Sequence, residues 1–391
     1  MKVFIKGLNS CVMRRQTLER YRQVIHDNGQ TLVATPEESD VILVWTCGFR
    51  ADVRDNSLEQ LERYQERWPG KVVAAGCIPD ISPDLLSERF SGTVLPWKSD
   101  QEGLERLFGR KADEAKGPPV FVEAPLCEDT TSFRAAHPDR DATFHDQFVK
   151  LVVAEGCNFK CSYCSERLAF PAYRSFSPER LVAQCREMVA ASGCKNVMLL
   201  ADSLGEYGHD LGLGLPELMQ RLLEIDPALR LALYNLNPAS FINHSEALFE
   251  FLRAGRICHL NLPIQSASAS VLKRMNRTYS REELDRLFTG LNRLNFTAFD
   301  THVIVGFPGE TDADIDETVA FLLRHRPRYV LVSVYMDTPD APAHRLPDQV
   351  PREKAMERIQ AVESRFQAAG ILCNSEESAI NRDRLRRVNG P

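Results

Sequence analysis

Apolar and polar residues alternate along residues 1–110 in blocks that predict strands and helices by turns. Lys2–Lys6, Val41–Trp45 and Val72–Ala75 are short apolar runs, which are typical of parallel strands covered on both faces. Between them, Arg14–Asn28 and Asp55–Glu66 carry apolar residues at helical spacing. This order predicts a small parallel α/β domain over residues 1–110.

A second series of the same kind follows and predicts a larger α/β domain. Apolar runs predict strands at Phe148–Val153, Asn196–Leu200, Leu229–Tyr234, His259–Ile264, Thr301–Val305 and Tyr329–Tyr335. Amphipathic stretches between them predict helices, one of which should begin with Ser177 as its N-cap and Pro178 as its first residue. Six strand–helix units predict a partial (β/α)6 barrel over residues 147–366, with its site at the carboxyl ends of the strands.

The remaining stretches predict connections rather than domains. Residues 111–146 are rich in Gly, Pro and polar residues, which predicts a linker. Residues 367–391 show no alternating pattern, so we expect a short tail without strands. Its basic stretch Arg382–Arg387 is short and predicts a solvated helix end rather than a grip on RNA.

Composition and charge bear on where the protein is located and on which partners it can bind. The 48 basic and 54 acidic residues leave a net charge of −6, so no overall positive field attracts nucleic acid. No apolar run is long enough to span a bilayer, and the first residues lack an export signal. We therefore expect a cytoplasmic protein with no membrane contact. In that reducing compartment, the eleven cysteines serve metal binding or catalysis better than disulfides.

Three of the cysteines occupy one short loop after the first barrel strand. Cys157, Cys161 and Cys164 have the spacing C-x3-C-x2-C. Soft thiolate ligands favour an iron–sulfur cluster or zinc. Three ligands on a four-iron cluster leave one iron open to a small molecule. On spacing alone, a zinc site completed by a fourth ligand and ordinary buried thiols stay open as alternatives.

Three more cysteines follow the three strands predicted in the N-terminal domain. Cys47 and Cys77 come directly after their strands, and Cys11 comes shortly after the first strand. Because the carboxyl ends of parallel strands meet at one edge of the sheet, these side chains should converge there. We expect a second three-cysteine cluster. The alternative is that cysteine is simply common in buried strands.

Several motifs now resemble one known family. The cysteine loop resembles the cluster loop of radical S-adenosylmethionine (SAM) enzymes. Trp45-Thr46-Cys47-Gly48-Phe49-Arg50 and Ala75-Gly76-Cys77 resemble the N-terminal domain of the methylthiotransferases within that group. Gln265-Ser266-Ala267-Ser268 and Gly306-Phe307-Pro308-Gly309-Glu310 resemble motifs of the family's barrel. The segment after Cys11, Val12–Arg15, departs from the family pattern.

The resemblance implies two 4Fe–4S clusters, SAM and a defined chemistry. The cluster of Cys157, Cys161 and Cys164 would cleave SAM to a 5′-deoxyadenosyl radical that removes hydrogen from the substrate. The cluster of Cys11, Cys47 and Cys77 would donate sulfur, and a second SAM would methylate it before or after transfer. Residues expected around SAM are Arg277 at its carboxylate, Asp202 at its amino group, Gly306 on the adenine side, and Tyr163, Asn237, Gln265 and Ser266.

Departures from the family bear on the substrate. The family usually ends in a TRAM domain that grips its substrate, and we expect that domain to be missing here. Together with the charge, this predicts a small-molecule, nucleoside or peptide substrate rather than a large RNA. An external flavodoxin- or ferredoxin-like donor should supply electrons.

Three alternatives remain at this stage. The first is sulfur insertion, or exchange of sulfur for another atom, without methylation in natural-product synthesis. The second is methylthiolation of tRNA or ribosomal protein despite the expected lack of the TRAM domain. The third is a non-catalytic electron carrier.

Overall fold

The computed structural model describes residues 1–8, 12–109 and 147–375, which form two compact units. The first unit contains the described residues up to 109 together with Ser165–Tyr173. The second contains the other described residues from 147 onward. Cys11, the predicted linker and the basic stretch of the tail lie outside the described residues.

The first unit is built on a five-stranded parallel sheet with the order β2–β1–β3–β4–β5. Its strands are β1 Lys2–Gly7, β2 Thr31–Leu32, β3 Val41–Thr46, β4 Val72–Gly76 and β5 Thr93–Pro96. The three predicted strands are confirmed, and β2 and β5 are short additions at the two edges. This strand order is one of the two common doubly wound arrangements, in which ligands bind beyond the carboxyl ends of the strands.

Helices cover both faces of this sheet, as its unbroken apolar strands require. Along β3, Leu43 and Trp45 belong to one hydrophobic core, whereas Ile42 and Val44 belong to the other. The helices of this unit are Val12–Asp27, Ala51–Arg67, Ile78–Ile81, Pro83–Arg89 and Asp100–Phe108.

The second unit is built on a seven-stranded parallel sheet with the order β14–β13–β12–β11–β10–β9–β6. Its strands are β6 Val149–Val152, β9 Asn196–Leu200, β10 Arg230–Leu233, β11 Ile257–Asn261, β12 Phe299–Val305, β13 Tyr329–Val334 and β14 Leu372–Asn374, and a separate antiparallel pair is β7 Ala154–Glu155 and β8 Arg174–Ser175. Its helices are Pro178–Ser192, Leu215–Leu223, Pro238–Asn243, Ser245–Arg253, Ala269–Arg274, Arg281–Arg293, Asp312–His325 and Arg352–Ala368. The predicted α/β class and parallel barrel strands are confirmed.

Two details of the predicted barrel differ in the structure. The strand expected at His259–Ile264 runs instead over Ile257–Asn261, and Pro263, which has no N–H to give to a ladder, lies beyond its end. The stretch expected to be a tail without strands contains β14, which pairs with β13 through Tyr329 and Leu372. A three-residue strand is too short to show a pattern in the sequence.

Local signals position the other elements. Ser177 caps the helix Pro178–Ser192 by accepting a hydrogen bond from the backbone of Arg180, as predicted.

Within the described ranges, none of the helices combines the length and the apolar character needed to cross a membrane.

Candidate cluster and cofactor sites

The loop of Cys157, Cys161 and Cys164 is anchored by residues far away in the sequence. The Ser162 hydroxyl donates to the carbonyl of Arg274 at 2.8 Å, and the Ser162 backbone N–H donates to the carbonyl of Met275 at 3.0 Å. The Asn276 side chain donates to the carbonyl of Lys160 at 2.7 Å. The middle of the loop is therefore fixed to the end of the helix Ala269–Arg274.

The beginning of the loop is held by two carboxylates. The backbone N–H of Gly156 donates to Asp202 at 2.9 Å, and that of Asn158 donates to Glu206 at 3.1 Å. Both acids follow the carboxyl end of β9. Burial, followed by the charge of Glu206, raises the pKa of the Cys157 thiol to about 12. Binding of a metal must therefore displace the proton from this thiol.

Arg277 lies against the other side of the loop. Its guanidinium donates to the sulfur of Cys161 at 3.5 Å and to the hydroxyl of Tyr163 at 3.1 Å. It also donates to the carbonyl of Pro263 at 2.7 Å and to the hydroxyl of Tyr279 at 3.2 Å. We predicted that Arg277 meets the SAM carboxylate. In the structure its donors are directed at the loop and at neighbouring protein groups.

These residues fit an iron–sulfur cluster. Thiol sulfurs are the donors that such clusters use, and all three come from one anchored loop. The guanidinium at Cys161 places a permanent positive charge where a thiolate-bound cluster brings negative charge. Over the described ranges, no group of three His, Cys, Asp or Glu side chains is arranged to hold a single metal ion.

In the first unit, Cys47 and Cys77 lie side by side at the carboxyl edge of the sheet. They follow Thr46 and Gly76, which are register partners on β3 and β4. The backbone N–H of Cys77 donates to the carbonyl of Thr46 at 3.0 Å, and that of Cys47 donates to the hydroxyl of Ser57 at 3.3 Å. Both cysteines are buried and neither forms a disulfide. Thus the structure brings together two of the three predicted ligands, and Cys11 lies outside the described residues.

Four of the other predicted SAM residues make structural contacts. Asn237 caps the helix Pro238–Asn243 by accepting from the backbone of Ala239 at 3.1 Å.

Gln265 has a φ of 67° and bridges to Val303 of β12 through its backbone. Ser266 is buried, and its hydroxyl lies 3.2 Å from that of Thr318. Gly306 has a φ of 80° and donates its N–H to Glu310 at 2.6 Å. Positive φ at Gln265 and Gly306 is a strained or glycine-favouring conformation, and both lie beside β12.

Glu310 is a site residue to which our sequence reasoning gave no role. Its side chain is buried and lies 3.6 Å from the guanidinium of Arg358. Burial raises the pKa of Glu310 to about 7, against the effects of the Gly306 N–H and of Arg358. The sequence signal that could have identified Glu310 is an acidic residue at the end of the glycine-rich segment Gly306–Glu310, which follows a strand. The Glu310 carboxylate accepts the Gly306 N–H and so fixes the turn that contains Gly306.

His302 needs no catalytic assignment. Burial lowers the pKa of His302 to about 4, so its ring is neutral near pH 7. Its Nε2 atom lies 3.3 Å from the side-chain amide of Asn261. The sequence gave His302 no role, and these contacts are those of a structural histidine.

Two family models match separate parts of this chain. The family model described as Radical SAM superfamily matches residues 151–322, and the model described as Uncharacterized protein family UPF0004 matches residues 2–95. A probable threonylcarbamoyladenosine tRNA methylthiotransferase of Pyrococcus horikoshii is 27% identical over 91% of this chain and 82% of the relative. The ribosomal protein uS12 methylthiotransferase RimO of Lachnoclostridium phytofermentans is 29% identical over 98% of this chain and 86% of the relative.

The chain belongs to the methylthiotransferase family of radical SAM enzymes.

The predicted enzyme class and cofactors are confirmed at this level, because the family implies 4Fe–4S clusters and SAM. A solved structure, the radical SAM methyltransferase TsrM of Kitasatospora setae, matches with a TM-score of 0.61 at 15% identity. The match covers 88% of this chain and 76% of TsrM. At that identity the likeness concerns the fold alone.

Proposed function

We propose that this methylthiotransferase-family enzyme inserts sulfur at an unactivated carbon, with its cysteines divided between two clusters. Cys157, Cys161 and Cys164 hold the cluster that binds SAM. The observation that carries this assignment is the anchored loop, which presents three thiols with the Arg277 guanidinium at Cys161. When bound there, the cluster and SAM supply removal of a hydrogen atom from a substrate C–H bond.

Cys47 and Cys77, together with Cys11, hold the second cluster, which supplies the sulfur. Support comes from the register of β3 and β4, which places Cys47 and Cys77 next to each other at the edge where such folds bind ligands. Both thiols are buried, so bulk water is kept from them. Protection from water suits a reactive sulfur carrier.

The chain's own residues perform binding and orientation. Ser162 and Asn276 fix the loop, Arg277 offsets negative charge at Cys161, and Tyr163 is held by Arg277. Gly306 and Glu310 shape the end of β12, and we propose that this end lines the adenine side of SAM. We propose Asp202, Asn237, Gln265 and Ser266 as outer supports of the same pocket. An external one-electron donor of the flavodoxin or ferredoxin type completes the cycle.

For the substrate we propose an adenosine-type nucleoside. The relative from Pyrococcus horikoshii is named for threonylcarbamoyladenosine in tRNA. Phe49, two residues after Cys47, is 41% exposed and is the one aromatic among the large exposed apolar side chains of the described residues. Exposed aromatic rings stack on nucleobases. A net charge of −6 supplies no general attraction for a long polyanion, which favours a nucleoside or a short oligonucleotide over a large RNA.

The test offers one enzyme preparation three substrates: N6-substituted adenosines, unmodified tRNA, and a peptide from ribosomal protein uS12. Reduced enzyme and SAM are added, and the products are identified by mass spectrometry. A methylthio group on the nucleoside supports the proposal. Modification of tRNA alone, or of the peptide alone, would overturn the nucleoside assignment while leaving the enzyme class intact.

Sulfur insertion without methylation is the second candidate. The same mass spectra decide between the two. A product that gains a thiol, a thioether bridge or a ring sulfur, with no methyl group from labelled SAM, would replace methylthiolation by sulfur insertion.

A further inference from the structure

The two carboxylates at the beginning of the cysteine loop flank a single cysteine. The backbone N–H groups that precede and follow Cys157 are those of Gly156 and Asn158. Each donates to a carboxylate, Asp202 at 2.9 Å and Glu206 at 3.1 Å. Both acids come from the one segment that follows β9, so the contact is made by a single element.

This arrangement gives the loop an uneven charge distribution. Backbone N–H groups beside an iron–sulfur cluster commonly donate to its sulfurs and so stabilise its negative charge. Around Cys157, two such groups are occupied by carboxylates, which also bring two negative charges close to that ligand. Around Cys161, in contrast, the guanidinium of Arg277 donates to the sulfur at 3.5 Å.

We propose that Asp202 and Glu206 are positioning residues that hold the amides around Cys157 and lower the reduction potential of the cluster bound there. The inference rests on the proposed assignment of Cys157, Cys161 and Cys164 to that cluster. Reduction adds one electron and makes the cluster more negative, while no bond forms or breaks. Nearby carboxylates would destabilise the reduced form of a cluster held there, which would make that form a stronger one-electron donor to SAM.

The experiment uses full-length protein with the substitutions Cys47→Ala and Cys77→Ala, so that one cluster is observed. Into this background are placed Asp202→Asn, Glu206→Gln, and both together. Each keeps an oxygen that accepts the backbone N–H but removes the charge. The matched control is Asp210→Asn, because Asp210 accepts in the same way, at 2.8 Å, from the backbone of Ser175, which is not part of the cysteine loop.

The midpoint potential is measured by redox titration, with the reduced cluster followed by electron paramagnetic resonance in the absence of SAM. Each single variant should increase the reduced-to-oxidised ratio at a fixed solution potential by about tenfold, which for one electron is a rise of about 59 mV. The double variant should shift further, and Asp210→Asn should not shift.

The possible results distinguish failure of the proposed tuning by Asp202 and Glu206 from failure of the assignment of the cluster to the cysteine loop. If the variants keep their iron and their potentials equal that of Asp210→Asn, the tuning role is overturned. If Asp202→Asn and Glu206→Gln both lose their iron, the carboxylates only hold the loop, and the tuning role is likewise overturned. If Cys161→Ala in the same background keeps the cluster signal, the assignment of the loop itself is wrong.

Discussion

The two cysteine sites of this chain are held in different ways. In the first unit, Cys47 and Cys77 follow paired strands, so the sheet itself places them side by side. In the second, three cysteines share one loop, and that loop is held by side chains and carbonyls that are distant in the sequence.

The difference teaches where each site is vulnerable. A site at a sheet edge depends on strand pairing, which many residues support together, so a single substitution in its surroundings has little effect. A site on a loop depends on a few polar contacts, each of which one substitution can remove. The proposed division of labour between the sites agrees with this difference, because SAM would have to reach the loop whereas the donated sulfur would be kept from water.

The largest expected effect tests the division of labour itself. Cys161→Ala should abolish SAM cleavage, because it removes a ligand from the loop. Cys47→Ala should leave abortive SAM cleavage intact but abolish sulfur insertion. Formation of 5′-deoxyadenosine and of the sulfur-containing product is measured for both variants. Sulfur insertion by the Cys47 variant would show that the first unit is not the sulfur donor.

Glu310, in the second unit, should make the stability of the chain depend on pH. The pKa of Glu310 is about 7 in the folded chain and 4.5 when unperturbed. The folded form therefore holds its proton more tightly, and stability present below pH 4.5 is lost as the pH rises through 7. The loss should be about 3 kcal/mol. The Glu310 contribution is measured as the difference in urea-unfolding free energy between the apoprotein and its Glu310→Gln variant from about pH 4.5 to 8. The difference is needed because the lowered pKa of His302 makes stability rise with pH at the acid end of this range.

The control for this slope is Glu310→Gln, which still accepts the Gly306 N–H but does not titrate. Its free energy of unfolding should lack the pH-dependent contribution of Glu310. The difference in unfolding free energy between the two proteins should therefore be larger at pH 8 than at pH 5. Parallel pH profiles for the two proteins would contradict a raised pKa at Glu310.

Substitution of two glycines in the second unit distinguishes the cost of backbone strain from the cost of overpacking. Gly306 and Gly370 have φ angles of 80° and 70°. A Cβ atom at Gly306 would press on Ala355, whereas one at Gly370 would meet nothing within 4 Å. Gly306→Ala should cost about 3 kcal/mol and Gly370→Ala about 1 kcal/mol of unfolding free energy. Equal costs in thermal or urea unfolding would mean that helix Arg352–Ala368 yields to the added methyl group.

The smallest effect concerns the anchoring of the loop. Asn276 has a φ of 55°, so Asn276→Gly keeps the backbone conformation and removes only the hydrogen bond to Lys160. Loss of about 1 kcal/mol should speed iron release to a chelator about fivefold. Ser57→Ala, which removes the acceptor of the Cys47 N–H, should speed release from the first unit less. The opposite ranking would reverse the comparison between the two sites.

The sequence was informative where a physical cause acts locally. The unbroken apolar run Val41–Trp45 predicts a strand that is covered on both faces. The structure confirms this, because alternate residues of the run belong to two different cores. The positions of Cys47 and Cys77 directly after neighbouring parallel strands predicted that the two residues lie close together. The edge strands β2, β5 and β14 escaped prediction, since strands of two to four residues leave no period to detect.

The contacts around the cysteine loop could not be predicted in the same way. Ser162 meets Arg274, and Asn276 meets Lys160, across more than a hundred positions of the chain. Hydrogen bonds of this kind leave no local signal. Asp202 was predicted to meet the SAM amino group, whereas the structure shows it accepting the N–H of Gly156. Its charge was visible in the sequence, but its partner was set by the fold.

The most direct test of the account counts iron and sulfide in the anaerobically reconstituted full-length protein and measures 5′-deoxyadenosine formation in the same sample. Two four-iron clusters predict about eight irons per chain, falling to about four in both Cys161→Ala and Cys47→Ala, with SAM cleavage lost only in the former. About four irons in the unaltered protein, with normal SAM cleavage, would show that Cys11, Cys47 and Cys77 hold no cluster and would contradict the two-site account.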